Sequence, residues 1–217
     1  MKHKTNIAAL VLMTLAVASQ AQQARIETPM STGPGGFTLT VSTPPGDGPY
    51  DFAKNKGPKI NTIAGNTYGE VLFGGNVPNS PTGVLNYMVS VYRDDKANER
   101  GKPYTAENIA LDIIKHEGFV GKAVPFNCPA NNIDVKNEMV CYRMAGTSVF
   151  DKKPMNELRS AVTVVAVSIK NNTMGYAFIG LAIEKNTQLF DKDPSQTIKN
   201  ADGASAGMFR NSRLTLN

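Results

Sequence analysis

Two apolar runs separated by four polar residues dominate the hydrophobic pattern of this chain. Ala161 to Ile169 (AVTVVAVSI) and Gly175 to Ile183 (GYAFIGLAI) flank Lys170-Asn171-Asn172-Thr173. β-Branched Val, Ile and Thr weight the first run, and Tyr176, Phe178 and Ile179 the second. Such residues fill a pleated, half-buried surface well, so the pair predicts a long β-hairpin at the centre of a sheet. The alternation in Phe37-Thr38-Leu39-Thr40-Val41 predicts the first strand, stopped by Pro44-Pro45. Ile60 to Ala64 and Tyr68 to Phe73 follow as strands parted by Gly65-Asn66. Val84 to Tyr92 (VLNYMVSVY) and Glu138 to Phe150 complete the set. Between them lie loops at Gly46 to Pro58, Gly74 to Gly83 and Arg93 to Gly101.

The period changes at Thr105. TAENIALDIIKHEG has Thr105 at the N-cap, Asn108 where a capping box would place Glu or Gln, and Gly118 as a stop. Ile109, Leu111, Ile113 and Ile114 supply the apolar face. Thr197 to Arg213 has helical content around Ala201 to Phe209, weakened by Gly203 and Gly207, before the short tail Leu214-Thr215-Leu216. Long antiparallel hairpins with segregated helices predict an α+β fold, an antiparallel sheet with a long central hairpin flanked by two helices. No repeat, low-complexity tract or separating linker breaks the chain, so residues 37–217 are expected to form a single domain.

The opening residues reduce the part expected to fold. Lys2, His3 and Lys4, the apolar run Ile7 to Ala18 and the small residues Ser19 and Ala21 have the pattern of a secretory signal peptide, residues 1–21, cleaved after Ala21. The run is short for a membrane span, which needs ~20 residues. Residues 22–36, with Pro29, Gly33, Pro34, Gly35 and Gly36, read as a flexible leader. Without Lys2 and Lys4, 21 basic residues face 18 acidic ones, a net charge of +3. That surplus is small and dispersed, unlike the clustered basic face of a nucleic-acid binder. No later segment is apolar enough to cross a membrane, and a periplasmic or secreted bacterial location is expected.

The order of elements resembles the PsbP-like fold, including bacterial envelope domains of the DcrB type. FTLTVSTPP at 37–45, TAENIALDIIKHEG at 105–118, the hairpin at 161–183 and MFRNSRL at 208–214 carry the resemblance, over about 180 residues. It implies an antiparallel sheet sandwiched between helices. Proteins of this fold mostly act as extrinsic subunits, adaptors or chaperones without catalytic centres.

Cys128 and Cys141 stand thirteen residues apart. In an oxidising compartment the pair predicts one disulfide, worth on the order of 3 kcal/mol for a loop of this length. A redox pair would call for the closer C-x-x-C spacing. Bridging both cysteines leaves no thiol nucleophile. The mature chain has one histidine, His116, and its position near a helix C-terminus suits a capping or surface role. Its neighbour Glu117 is expected on a different helix face.

Metal-ligand clusters, a nucleophile elbow and a phosphate loop are all missing from the sequence. The acidic start at Asp191 fails as a calcium loop, because Gln196 stands where Gly is needed and Asp202 where Glu is needed. No cofactor is expected. Glu70, Asp112, Glu138 and Glu157 are candidates for a carboxylate pair, but no feature selects two of them, and the chain has no Trp for sugar stacking.

The function expected first is a non-enzymatic exported protein-binding domain: an envelope adaptor, a chaperone-like subunit or an immunity-type factor. Its partner would be another envelope or secreted protein, met by loops 46–58 and 93–104 with Tyr50, Phe52 and Tyr104 as aromatic anchors. Two alternatives stand beside it. One is a small hydrolase using an unidentified carboxylate pair. The other is a carrier of a small apolar ligand, with its pocket between helix 105–117 and the sheet.

Overall fold

A computed structural model describes residues 26–43, 59–63, 66–76, 83–119, 122–130, 138–149 and 157–217. Among them, strands and helices follow in the order β1 (Ile26–Ser31), β2 (Phe37–Thr43), β3 (Lys59–Ile63), β4 (Asn66–Asn76), β5 (Gly83–Asp94), α1 (Ala106–His116), β6 (Val124–Pro125), β7 (Glu138–Val149), β8 (Glu157–Ile169), β9 (Met174–Glu184), α2 (Thr187–Lys192), α3 (Ser195–Asn211) and β10 (Arg213–Leu216). One sheet runs β3-β4-β5-β9-β8-β7-β6 and a smaller one β1-β2-β10, with every pairing antiparallel. The α+β expectation holds, and β9 of the predicted hairpin is the middle strand of the large sheet.

That hairpin is buried along nearly its whole length. Its register joins Ile169 to Met174, and its turn puts Lys170, Asn171 and Asn172 at φ of 51°, 56° and 64°. Asparagine accepts this left-handed backbone more readily than most residues do, which accounts for a pair of them here. Alternation along each strand then gives the sheet two apolar faces. On one face, Val162, Val164 and Ala166 of β8 and Ala177, Ile179 and Leu181 of β9 meet α1. On the other, Val165, Val167, Tyr176 and Phe178 join Phe37, Leu39 and Val41 of β2 and Met208 and Phe209 of α3. The molecule therefore has three layers: α1, the large sheet, and α3 beside the small sheet.

Thr105 caps α1 as expected, its hydroxyl accepting the N–H of Asn108 at 3.1 Å. Ile109, Ala110, Ile113 and Ile114 are buried; each large aliphatic side chain contributes about 1.5–3 kcal/mol by leaving water. Leu111, assigned to the apolar face from sequence, is 40% exposed because it falls on the solvent side of the helix. α1 packs on β7, β8 and β9.

Cys128 and Cys141 are bridged, with their Cα atoms 5.3 Å apart, and the bridge ties the segment after β6 to β7. Nearby, Asp202 of α3 accepts hydrogen bonds from Thr163 (2.5 Å) and Arg143 (3.2 Å), while the Arg143 guanidinium lies over the Phe126 ring at 5.3 Å.

Some sequence readings need correction. Residues 26–31, placed in the flexible leader, form β1, with Thr28 and Met30 buried. Pro29 is tolerated because β1 is an edge strand. α3 extends from Ser195 to Asn211, longer than Ala201 to Phe209, since the helix is held by packing as well as by propensity. A third helix, α2, and the C-terminal strand β10 were not anticipated, and β4 runs through Gly74 and Gly75 to Asn76. Residues 1–25 and the loop 46–58, with Tyr50 and Phe52, lie outside the described residues.

Candidate functional site

Among the described residues, α1 packs on the β7–β8–β9 side of its face of the sheet, and β4 and β5 continue past the helix as a floor. The register fixes what that floor presents. Tyr68 lies opposite Tyr92, Glu70 opposite Ser90 and Leu72 opposite Met88. On the next strand, Ile179 pairs with Met88, Leu181 with Asn86 and Ile183 with Val84. The facing flank of α1 presents Asn108, Ile109, Asp112, Ile113 and His116, spaced three and four apart as one helical flank requires.

Three cavities fill the trough between helix and floor. The first, about 660 Å³, lies at the start of the helix between Tyr92, Tyr104, Arg100 and Asp112. The middle one, about 610 Å³, is bordered by Tyr68, Glu70, Met88, Asp112, His116 and Glu117. The third, about 350 Å³, is mostly apolar, lined by Leu72, Met88, Leu158, Ile179, Leu181 and Ile183, with Asn86 and Glu117 at its rim. Tyr92 and Asp112 belong to the first and second, Met88 and Glu117 to the second and third. Sharing these walls, they adjoin one another in a row along the helix as a cleft, polar and aromatic at one end and apolar at the other.

Tyrosine rings line the polar end in series. Tyr68 and Tyr92 are 5.5 Å apart between centroids, and Tyr92 and Tyr104 5.6 Å. The Tyr68 hydroxyl donates to the Glu70 carboxylate. Burial pushes the phenols of Tyr68 and Tyr92 well above their ordinary range, Glu70 adding to the effect at Tyr68, so both stay neutral hydrogen-bonding groups. Tyr104 is raised in the same direction, again by burial.

The carboxyl of Glu117 is also raised. Burial is the main cause, the charge of Glu70 adds to it, and His116 opposes it. Although adjacent in sequence, His116 and Glu117 both border the middle cavity. The helix ends at His116, and Glu117 is its C-cap with φ −70° and ψ 10°, outside regular helical spacing.

The loop between β5 and α1 is pinned rather than free. Asn98 donates to the Asn171 carbonyl at 2.8 Å, the Tyr104 N–H to the Asn172 carbonyl at 2.8 Å, and Arg100 to Asn66 and Asp94. These contacts hold one wall of the cleft against the hairpin turn. Tyr104, expected as a protein-binding anchor, is half-buried in this wall. Of the four carboxylate candidates, Glu70 and Asp112 both border the middle cavity. Glu138 is exposed on β7 and lines none of the three cavities, and the side chain of Glu157 lies outside the described residues. Among the described residues no group of three or more His, Cys, Asp and Glu side chains could hold a metal ion, and no helix is long and apolar enough to cross a membrane.

No family model matches this sequence, and no curated protein matches it. Among solved structures, the chain is similar to the crystal structure of LpqN, involved in cell envelope biogenesis of Mycobacterium tuberculosis. The alignment has 14% identity, covers 88% of this chain and 91% of that one, and has a TM-score of 0.33. A likeness at that level assigns no function, and the functional reading rests on the cleft itself.

Proposed function

We propose that this chain is an exported, non-catalytic binding domain that takes a small amphipathic ligand into the cleft between α1 and the β4–β5–β9 floor. The observation that carries this reading is an apolar pocket adjoining one lined by tyrosines and carboxylates, with Met88 and Glu117 common to both. Ligand sites are typically concave, mostly apolar and furnished with a few convergent polar groups, in cavities of about 300–1,000 Å³. Export is supported by the signal-peptide pattern of residues 1–21 and by the Cys128–Cys141 bridge, a cross-link typical of oxidising compartments. A non-catalytic role is what the PsbP-like resemblance implies. Recognition of an envelope or secreted protein is compatible with a ligand cleft in the same domain.

The test is titration with the apolar dye N-phenyl-1-naphthylamine, whose fluorescence rises in a dry pocket. The wild type should bind it saturably. Leu72→Arg, placing a charge in the apolar pocket, should weaken binding at least about tenfold, the value of one well-buried leucine. Leu189→Arg, on the exposed side of α2, should leave it unchanged. Absence of saturable binding to the folded wild type would sink the proposal.

A second reading draws on one specific observation. Glu117, with its raised carboxyl, borders a cavity shared with Glu70 and Asp112, an arrangement suited to a general acid beside a carboxylate. A hydrolytic turnover lost in Glu117→Gln would favour it over the carrier.

A further inference from the structure

The polar end of the cleft is chemically one-sided. Tyr68, Tyr92 and Tyr104 offer ring surfaces in series, and Glu70, Asp112 and Glu117 border the adjoining space. Among the described residues, the cations nearby are otherwise engaged or exposed to solvent. Arg100 is held by Asp94 and Asn66, Lys102 is exposed at the rim of the first cavity, and His116 is exposed on the last turn of α1. Aromatic faces carry negative quadrupole potential and attract ammonium groups, the more so when water is partly excluded. Carboxylates beside them add favourable Coulomb energy for a cation and repel an anion. The floor then turns apolar in one direction only, from Met88 to Leu72 and on to Ile179, Leu181 and Ile183.

We infer, resting on the ligand-cleft reading above, that the occupant is a single-chain amphiphile with a cationic, ammonium-type head group. The head lies between the tyrosines and the Glu70 and Asp112 carboxylates, and the chain runs over Leu72 and Met88 toward Ile183. Charge complementarity selects the head, and the one-directional apolar floor selects a tail. A bare ammonium ion would leave the apolar pocket unused, and a fatty acid would put its carboxylate against those of Glu70 and Asp112.

Isothermal titration calorimetry of the processed chain separates these possibilities. The probes are dodecyltrimethylammonium, dodecanoate and dodecyl maltoside, each below its micelle concentration, so that tail length is constant and only the head changes. Dodecyltrimethylammonium should bind saturably and at least about tenfold more tightly than dodecanoate, one tenfold step being about 1.4 kcal/mol. The double variant Glu70→Gln/Asp112→Asn should abolish that preference without abolishing uptake of the maltoside, and Glu138→Gln should leave it intact. Equal or tighter binding of dodecanoate or of the maltoside, lost in Leu72→Arg, would overturn the cationic assignment while leaving the ligand cleft standing. No saturable binding of any of the three would overturn both.

Discussion

At Gly180 the central hairpin and the long helix α3 lie in close contact, and an alanine there should be strongly destabilising. A Cβ on Gly180 would lie 2.1 Å from the Ala201 carbonyl oxygen and 3.0 Å from both the Ala201 carbonyl carbon and the Ala204 Cβ. The obstacle is helix backbone, which cannot rotate away as a side-chain end could. α3 would have to retreat by roughly 1 Å for even the shortest contact that real Cβ atoms keep, loosening the packing of neighbouring atoms. Ala201, Ala204, Met208 and Phe209 are buried on that helix and would all lose contact. Overpacking typically costs about 1–3 kcal/mol, and the rigid neighbour places Gly180→Ala at about 3 kcal/mol.

The control sits on the same helix. A Cβ at Gly203 meets open space, so Gly203→Ala should stabilise by up to about 1 kcal/mol through helix propensity. Urea unfolding followed by far-UV circular dichroism measures both, and an unchanged slope would show that stability alone has moved. In a thermal scan the Gly180 variant should melt roughly 6–12 °C lower, at about 2–4 °C per kcal/mol for a chain of this size. A Gly180→Ala protein within about 0.5 kcal/mol of wild type would refute the close approach of α3 to β9.

Removing the bridge with Cys128→Ser/Cys141→Ser should cost about 2–4 kcal/mol, read from the same urea curves, and reductant should then have no further effect. Tyr176 is fully buried and its hydroxyl has no hydrogen-bond partner among the described residues, so Tyr176→Phe should be neutral or stabilising by about 1 kcal/mol; a clear loss would mean that the hydroxyl is satisfied in the folded chain. The raised carboxyl of Glu117 gives a signed pH effect. At pH below its ordinary value of 4.5 the group is protonated in both folded and unfolded chains and costs nothing. As pH rises from there through the higher folded value, the unfolded chain releases its proton first and stability falls. Glu117→Gln should therefore match wild type near pH 3 and gain on it by pH 7. A constant difference between those pH values would contradict the burial of that carboxyl.

Much of the scaffold could be read from local pattern. The hairpin was legible because its strands are buried on both faces, which writes continuous β-branched and aromatic runs with a polar turn between them. α1 was legible from its cap and period. β1 was not, because an edge strand with Pro29 and alternating polar residues carries a weak signal, and its pairing partner is set by tertiary contact with β2. α3 was underestimated because Gly203 lowers helix propensity while lying on the solvent side, where it does not disturb the packing of Ala201, Ala204 and Phe209. The cleft was half legible. A pocket between helix 105–117 and the sheet could be anticipated, and Glu70 and Asp112 could be named. Their bordering one cavity depends on β5 pairing with β9 rather than with β7, a strand order that local sequence does not encode. Glu117 was obscured by helical geometry, which stops applying one residue earlier, at His116.

The most direct test of the binding cleft is a backbone amide chemical-shift map of the processed, isotope-labelled protein titrated with N-phenyl-1-naphthylamine. Saturable shifts should concentrate at Leu72, Met88 and Tyr92 on the floor and at Asp112 and Glu117 on the facing helix. Shifts centred instead on the Cys128–Cys141 bridge or on α3, with those five amides unmoved, would contradict the assignment of this cleft as the site.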